Sequence, residues 1–152
     1  NGEHAQWAAQ RLRAHVLTDK SEQAKAILIE CAVSDPVALM YVNPARPHMV
    51  WSSVTPMILP GFDDGKVDKR DALVLKAIRQ AGLPIDAVES FTLRKAPFWP
   101  GSHHPQHYHR PDYLSRYPAW HVHLCFHVPI NGPLAIGAGR HCGLGLFAAV
   151  DE

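Results

Sequence analysis

The stretch GPLAIGAGRHCGLGLF, residues 132–147, places five glycines, an arginine and a histidine between two apolar runs. Glycine at this density is incompatible with a regular helix or an unbroken strand, because each one removes a side chain that could pack and frees the backbone at an entropic cost. Any fold of this chain must therefore carry an irregular backbone segment here, most simply as a loop between two strands. Two familiar phosphate-binding patterns are excluded. After Gly137 and Gly139 a G-x-G-x-x-G motif would need glycine where Cys142 stands, and no G-K-[ST] occurs. What remains is Gly137, Gly139, Gly143 and Gly145 around Arg140 and His141. Such a segment can bring backbone N–H groups and a guanidinium to a phosphate, or it can simply close a small sheet as a bulged hairpin.

The rest of the sequence supplies a frame for that loop. At 152 residues, 47% hydrophobic and 19% charged, the chain can bury a single core, and disorder is excluded. No apolar run approaches the roughly 18–20 residues that cross a bilayer, and NGEHAQWAAQRLRAH lacks the apolar centre of a secretory signal, so a soluble cytoplasmic protein without a membrane partner is expected. The start at Asn1, inside a helical pattern, reads as a fragment of something longer. Cys31, Cys125 and Cys142 are odd in number and form no C-x-x-C pair, which predicts reduced thiols.

Periodicity gives the elements. Residues 4–17 read as an amphipathic helix, AKAILIECAV as helix or buried strand, and ALMYVN and HMVWSSVTPMIL as strand-rich, with Pro44, Pro47 and Pro56 marking turns or an edge. KRDALVLKAIRQAG has a helical apolar face, with Asp68 as its expected cap and Gly82 and Pro84 as its stop. AVESFTLRKAPF, WHVHLCFHV and LGLFAAV read as strands, and WPGSHHPQHYHRPDYLSRYP as a long loop. The order predicts an α+β, ferredoxin-like (RRM-like) fold, an antiparallel sheet with helices on one face.

Net charge is only +1 with histidine neutral, but the average hides a gradient. Between Phe91 and His141 the charged residues are Arg94, Lys95, Arg110, Arg116 and Arg140 against the single acid Asp112. His103, His104, His107, His109, His121, His123, His127 and His141 fall in the same span, and protonation near neutral pH would add to its charge. This third of the sequence is the candidate anion-facing surface.

These residues carry a family resemblance. GPLAIGAGRHCGLGLF resembles the glycine-rich loop of the CRISPR-associated RAMP superfamily, whose ferredoxin-like domains bind or cut CRISPR repeat RNA. WSSVTPMILPG, WHVHLCFHVPINGPL and GAGRHCGLGLF together resemble the C-terminal half of the fused Cas5-like and Cas6-like protein of type I-U (also called I-G) CRISPR systems, over residues 48–149. The resemblance implies a repeat-processing endoribonuclease that needs no cofactor. It implies as partners pre-crRNA and crRNA, an N-terminal Cas5-like half and other subunits of a surveillance complex. The implied chemistry is attack by the RNA's own 2′-hydroxyl, leaving a 2′,3′-cyclic phosphate and a 5′-hydroxyl. That reaction needs a base, an acid and a cation near the phosphate. His107, His109 and His121, with Tyr108 nearby, are the candidates for proton transfer. Arg94, Lys95, Arg140 and His141 with Gly137, Gly139, Gly143 and Gly145 are the candidates for holding RNA.

Two other readings stay open. His103, His104, His107 and His109, or His121, His123 and His127, have spacings that can ligate zinc, as in a histidine-rich metal protein or zinc hydrolase, although Asp112 is the only acid nearby to orient a ligand. Alternatively, Phe98, Trp99, Tyr108, Tyr113, Tyr117 and Trp120 stack single-stranded RNA in a non-catalytic crRNA-binding subunit.

Overall fold

The computed structural model describes residues 2–18, 21–27, 35–41 and 47–150. The chain divides into two compact units, Asn1–Ala38 and Leu39–Glu152. The first contains α1 (Gly2–Leu12) and an antiparallel hairpin of β1 (Val16–Thr18) and β2 (Ala24–Ile27). The helix expected to run to residue 17 stops at Leu12, because Ala14 turns through φ 57° and releases the β-prone Val16–Thr18 segment to pair. In AKAILIECAV the described residues are strand, while the remainder, with Cys31, lies outside the described residues.

ALMYVN, expected as strand, is helical where it is described. α2 (Pro36–Tyr41) begins with Asp35 accepting the Ala38 N–H at 3.2 Å, and Pro36 follows at the first helical position. Asx capping and a proline with φ already near the helical value outweigh the β-preference of Val37 and Tyr41. Val42 and Asn43 lie outside the described residues.

The second unit holds β3 (His48–Ser53), β4 (Met57–Ile58), α3 (Val67–Gln80), β5 (Val88–Arg94), α4 (Asp112–Ser115), β6 (Ala119–Ile130), β7 (Leu134–Ala135) and β8 (Leu146–Ala149). α3 buries Val74, Ala77 and Ile78 and ends where Gly82 takes φ 80° and Leu83 N–H reaches back to the Ile78 carbonyl. Its cap is not Asp68. Lys66 holds the cap position without a side-chain bond, and Asp68 sits in the first turn, where its charge favours the helix dipole.

β6 is the axis of the sheet. His123 stands opposite Ser52 of β3 and Thr92 of β5, so these strands occupy its two edges. β8 then pairs with β3, and every pairing is antiparallel. The order β5, β6, β3, β8, with α3 linking β3 to β5, is the strand order of a ferredoxin-like α+β fold. Where that fold has its second helix, between β6 and β8, this chain has β7 and the glycine-rich segment.

Alternation along β6 sorts its side chains. Val122, Leu124 and Phe126 join Trp51, Phe147 and the apolar face of α3 in the main core. His121, His123 and Cys125 point to the other side, which α3 leaves free. A smaller core of Ile58, Leu114, Ala119 and Leu144 ties the histidine-bearing loop and the glycine-rich loop to β4. Ile58, Leu114 and Leu144 each contribute about 1.5–3 kcal/mol by burial, enough to hold irregular backbone in place.

Candidate functional site

The break between β3 and β4 organises the site. Ser52 Oγ lies 2.7 Å from His123 Nδ1, and Ser53 Oγ lies 3.2 Å from His121 Nδ1. The Val54 carbonyl accepts from Ser102 Oγ at 2.7 Å and from Tyr108 OH at 3.3 Å. Thr55 Oγ1 donates to the Gly143 carbonyl at 3.0 Å, and the Pro56 carbonyl accepts the Gly145 N–H at 2.9 Å. Val54, Thr55 and Pro56 thus clasp two loops that are distant in sequence, while Ser52 and Ser53 hold the histidines of β6. In the sequence this string stands out only as part of WSSVTPMILPG, and nothing there assigns Ser52, Ser53 or Thr55 a role.

His121 has no exposed surface. Its Nε2–H donates to the His103 carbonyl at 2.8 Å, so that in the neutral ring the lone pair falls on Nδ1. Ser53 completes the chain, accepting from Val122 N–H at 2.9 Å and donating its own proton to Nδ1. Both ring nitrogens are therefore occupied by protein. The geometry makes His121 a buried strut under the histidine loop, whereas His107 and His109 are exposed.

Residues 99–118 form the expected long loop, with a single turn at Pro105–His107 and α4 near its end. Tyr108 OH, while donating to Val54, accepts the His103 N–H at 3.1 Å, and the ring packs 6.3 Å from His121. His104 Nδ1 accepts the Gln106 N–H, and His107 N–H donates to the His104 carbonyl. The His103 and His107 rings come within 6.3 Å, as do those of His104 and His107. The Gln106 side-chain amide nitrogen lies 3.2 Å from His107 Nε2. Among the described residues, no group of three or more His, Cys, Asp or Glu side chains is placed to hold a metal ion.

The glycines serve the backbone. A Cβ on Gly145, at φ 72°, would lie 1.9 Å from the Ile136 carbonyl oxygen, and one on Gly137, at φ 109°, 2.7 Å from that of Ile58. Gly137, Gly139 and Gly145 are buried, whereas Gly143 is exposed. Arg140 spends one guanidinium N–H on the Gly137 carbonyl at 3.3 Å, and His141 is exposed. Cys142 Sγ meets Tyr113 OH of α4 at 3.7 Å, a second junction of the two loops that holds the phenol above its usual pKa.

The cations split by face. Arg94 stands opposite His121, stacks on Phe98 at 3.8 Å and donates to the carbonyls of Ala96 and Pro97, while Phe98 in turn packs 5.5 Å from His123. Arg94 thus borders the histidine face. Lys95, the next residue, takes the other side, donating to the Ala119 carbonyl at 2.6 Å beneath Trp120.

No helix among the described residues is long and apolar enough to cross a membrane. No curated protein and no solved structure matches the chain. A family profile, described as CRISPR-associated protein, GSU0054 family, matches residues 1–149 and so reaches beyond the segment that carried the resemblance. With almost its whole length matched, the chain belongs to this CRISPR-associated family.

Proposed function

We propose that this protein binds CRISPR repeat RNA and processes it as an endoribonuclease, and that it corresponds to the C-terminal, repeat-processing half of the fused Cas5-like and Cas6-like proteins. Its partners on this reading are pre-crRNA, crRNA, a Cas5-like half and other surveillance-complex subunits. Family membership and the ferredoxin-like strand order support the assignment. The observation that carries the chemistry is a solvent-facing histidine pair, His107 and His109, on a loop whose backbone is pinned to Val54 through Ser102 and Tyr108.

On this reading His107 acts as the base, its Nε2 removing the proton from the 2′-hydroxyl in exchange for the Gln106 contact. The 2′-oxygen attacks the adjacent phosphorus, the bond to the 5′-oxygen breaks, and protonated His109 supplies the proton to that leaving oxygen. The products are a 2′,3′-cyclic phosphate and a 5′-hydroxyl. Tyr108 and His121 position the loop rather than transfer protons, since both already bond within the protein. Arg94, Arg140 and His141 bring positive charge to the phosphodiester backbone, and Gly143 is the point in the glycine loop where backbone can approach it.

The test is cleavage of end-labelled repeat RNA in excess chelator. The expected result is a cyclic-phosphate product, no cutting when the nucleotide before the scissile bond is 2′-deoxy, and a loss of about two to four orders of magnitude in His107→Ala at unchanged affinity. Loss of activity in chelator with rescue by zinc would move the histidines into a ligand role. Tight binding without cleavage under any condition would leave a crRNA-binding subunit.

A further inference from the structure

The face of β6 opposite the histidines gathers a second set of cations. Lys95 Nζ lies 3.5 Å and Arg70 Cζ 4.5 Å from the centroid of the Trp120 ring. Arg110 donates to the Tyr117 carbonyl at 3.1 Å, and Tyr117 packs 5.0 Å from Phe62, which is 45% exposed. Asp63 is the one carboxylate in this group, and it is committed to Arg70 at 3.1 Å. Burial raises its pKa, but the Gly65 N–H and Arg70 outweigh this and hold it below the usual carboxylate range. Lys95 and Arg110 make no ion pair among the described residues, and main-chain carbonyls hold both in place.

Cations crowded in this way carry a cost. Desolvation, then Arg110 and Arg70, push the Lys95 ammonium below its ordinary pKa, with Asp63 opposing. An incoming anion relieves that cost, and it meets groups that are already immobilised. The Trp120 Nε1–H is buried without a partner among the described residues, a second unmet demand at the same place. The exposed Phe62 beside Tyr117 offers a flat aromatic surface next to the charge, the combination that holds a phosphate together with its neighbouring base.

We propose that Lys95 and Arg110 bind a phosphate of single-stranded RNA, with Phe62 and Tyr117 stacking the adjacent base, at a site beside Trp120, whose side of β6 is opposite that of His121 and His123. This rests on the reading of the chain as an RNA-binding protein. The RNA strand leaves the cleavage loop, passes the start of β6 and is gripped there, which gives affinity without taking part in bond breaking.

The experiment measures binding of the full chain to labelled repeat RNA and to a short uridine oligomer across a salt series, for the parent and for Lys95→Met, Arg110→Gln and Phe62→Ala. Each variant is expected to bind both RNAs about tenfold more weakly, the scale of one charged contact or one stacked base. The salt slope should fall by about one charge in Lys95→Met and Arg110→Gln and stay unchanged in Phe62→Ala. Crosslinks from 4-thiouridine RNA should map to Phe62 or Tyr117. Parent-like affinity and slope in all three folded variants, with repeat RNA still bound and cut, overturns this site and leaves the processing reading intact. Cluster-dependent binding of the uridine oligomer by a chain that never cuts repeat RNA does the reverse. Failure of the parent to bind either RNA removes both, and full competition by inorganic phosphate removes the assignment to RNA.

Discussion

The two loops clasped by Val54–Pro56 are built in opposite ways. The histidine loop, residues 99–118, anchors its backbone through Ser102, Tyr108 and His121 and turns His107 and His109 outward. The glycine loop turns its backbone inward, with Gly137 and Gly145 in left-handed or extended-positive conformations against the carbonyls of Ile58 and Ile136. One loop therefore turns imidazoles to solvent and the other mainly fills the place of a missing helix. A glycine-dense sequence advertises close approach, but what approaches here at Gly137 and Gly145 is the chain itself.

The sharpest way to break that contrast is at Gly145. A methyl group there meets the Ile136 oxygen at 1.9 Å, with φ fixed at 72°, and backbone on both sides leaves nothing flexible to yield. Gly145→Ala is expected to cost more than about 4 kcal/mol and to abolish cooperative unfolding or lower its midpoint severely. A melting curve like the parent's would mean that the loop is not the rigid filler described.

The next largest effect separates two histidines of one cluster. His121→Ala should destabilise by about 2–4 kcal/mol, because it opens a cavity and orphans the Ser53 hydroxyl and the His103 carbonyl. His107→Ala, at an exposed position, should leave the denaturation midpoint within about 0.5 kcal/mol of the parent while removing cleavage. Equal losses of stability in the two variants would erase the distinction between strut and catalyst.

Smaller again is Tyr108→Phe, which deletes the hydroxyl shared between Val54 and His103. The expected cost is about 1 kcal/mol, with a several-fold slower cleavage rate at saturating RNA and unchanged affinity, since the loop loosens while its charge stays. A fall in affinity alone would instead make Tyr108 a direct RNA contact.

Much of this arrangement was legible in the sequence, for reasons that differ by element. β5 and β6 announce themselves by alternation and β-branched residues, β8 by a short apolar run, and α3 by its apolar spacing, which is why the α+β class was legible. α2 was hidden because its capping pair, Asp35 and Pro36, is a short-range signal competing with strand-forming side chains. The histidine loop was visible as composition, yet composition treats His121 and His107 alike. Only the tertiary pairing of β3 with β6 places Ser53 against His121 and seals it. The separation of Arg94 from Lys95 was not legible: β5 ends at Arg94, Lys95 turns to Trp120 just beyond it, and which face holds the histidines depends on register.

Gly143 is the most informative position of the glycine loop. Gly143 has φ 74° and no atom within 4 Å of an added Cβ, so Gly143→Ala carries backbone strain without a collision, about 1–2 kcal/mol. Its neighbours Gly137, Gly139 and Gly145 are buried, which leaves Gly143 as the exposed glycine between Arg140 and the strand β8. If RNA backbone comes close there, a methyl group in that open space should weaken repeat-RNA binding several-fold in a protein that is still folded. Affinity equal to the parent's, at the same modest cost in stability, would assign the whole glycine segment to scaffolding and leave recognition to Arg140, His141 and the histidine face.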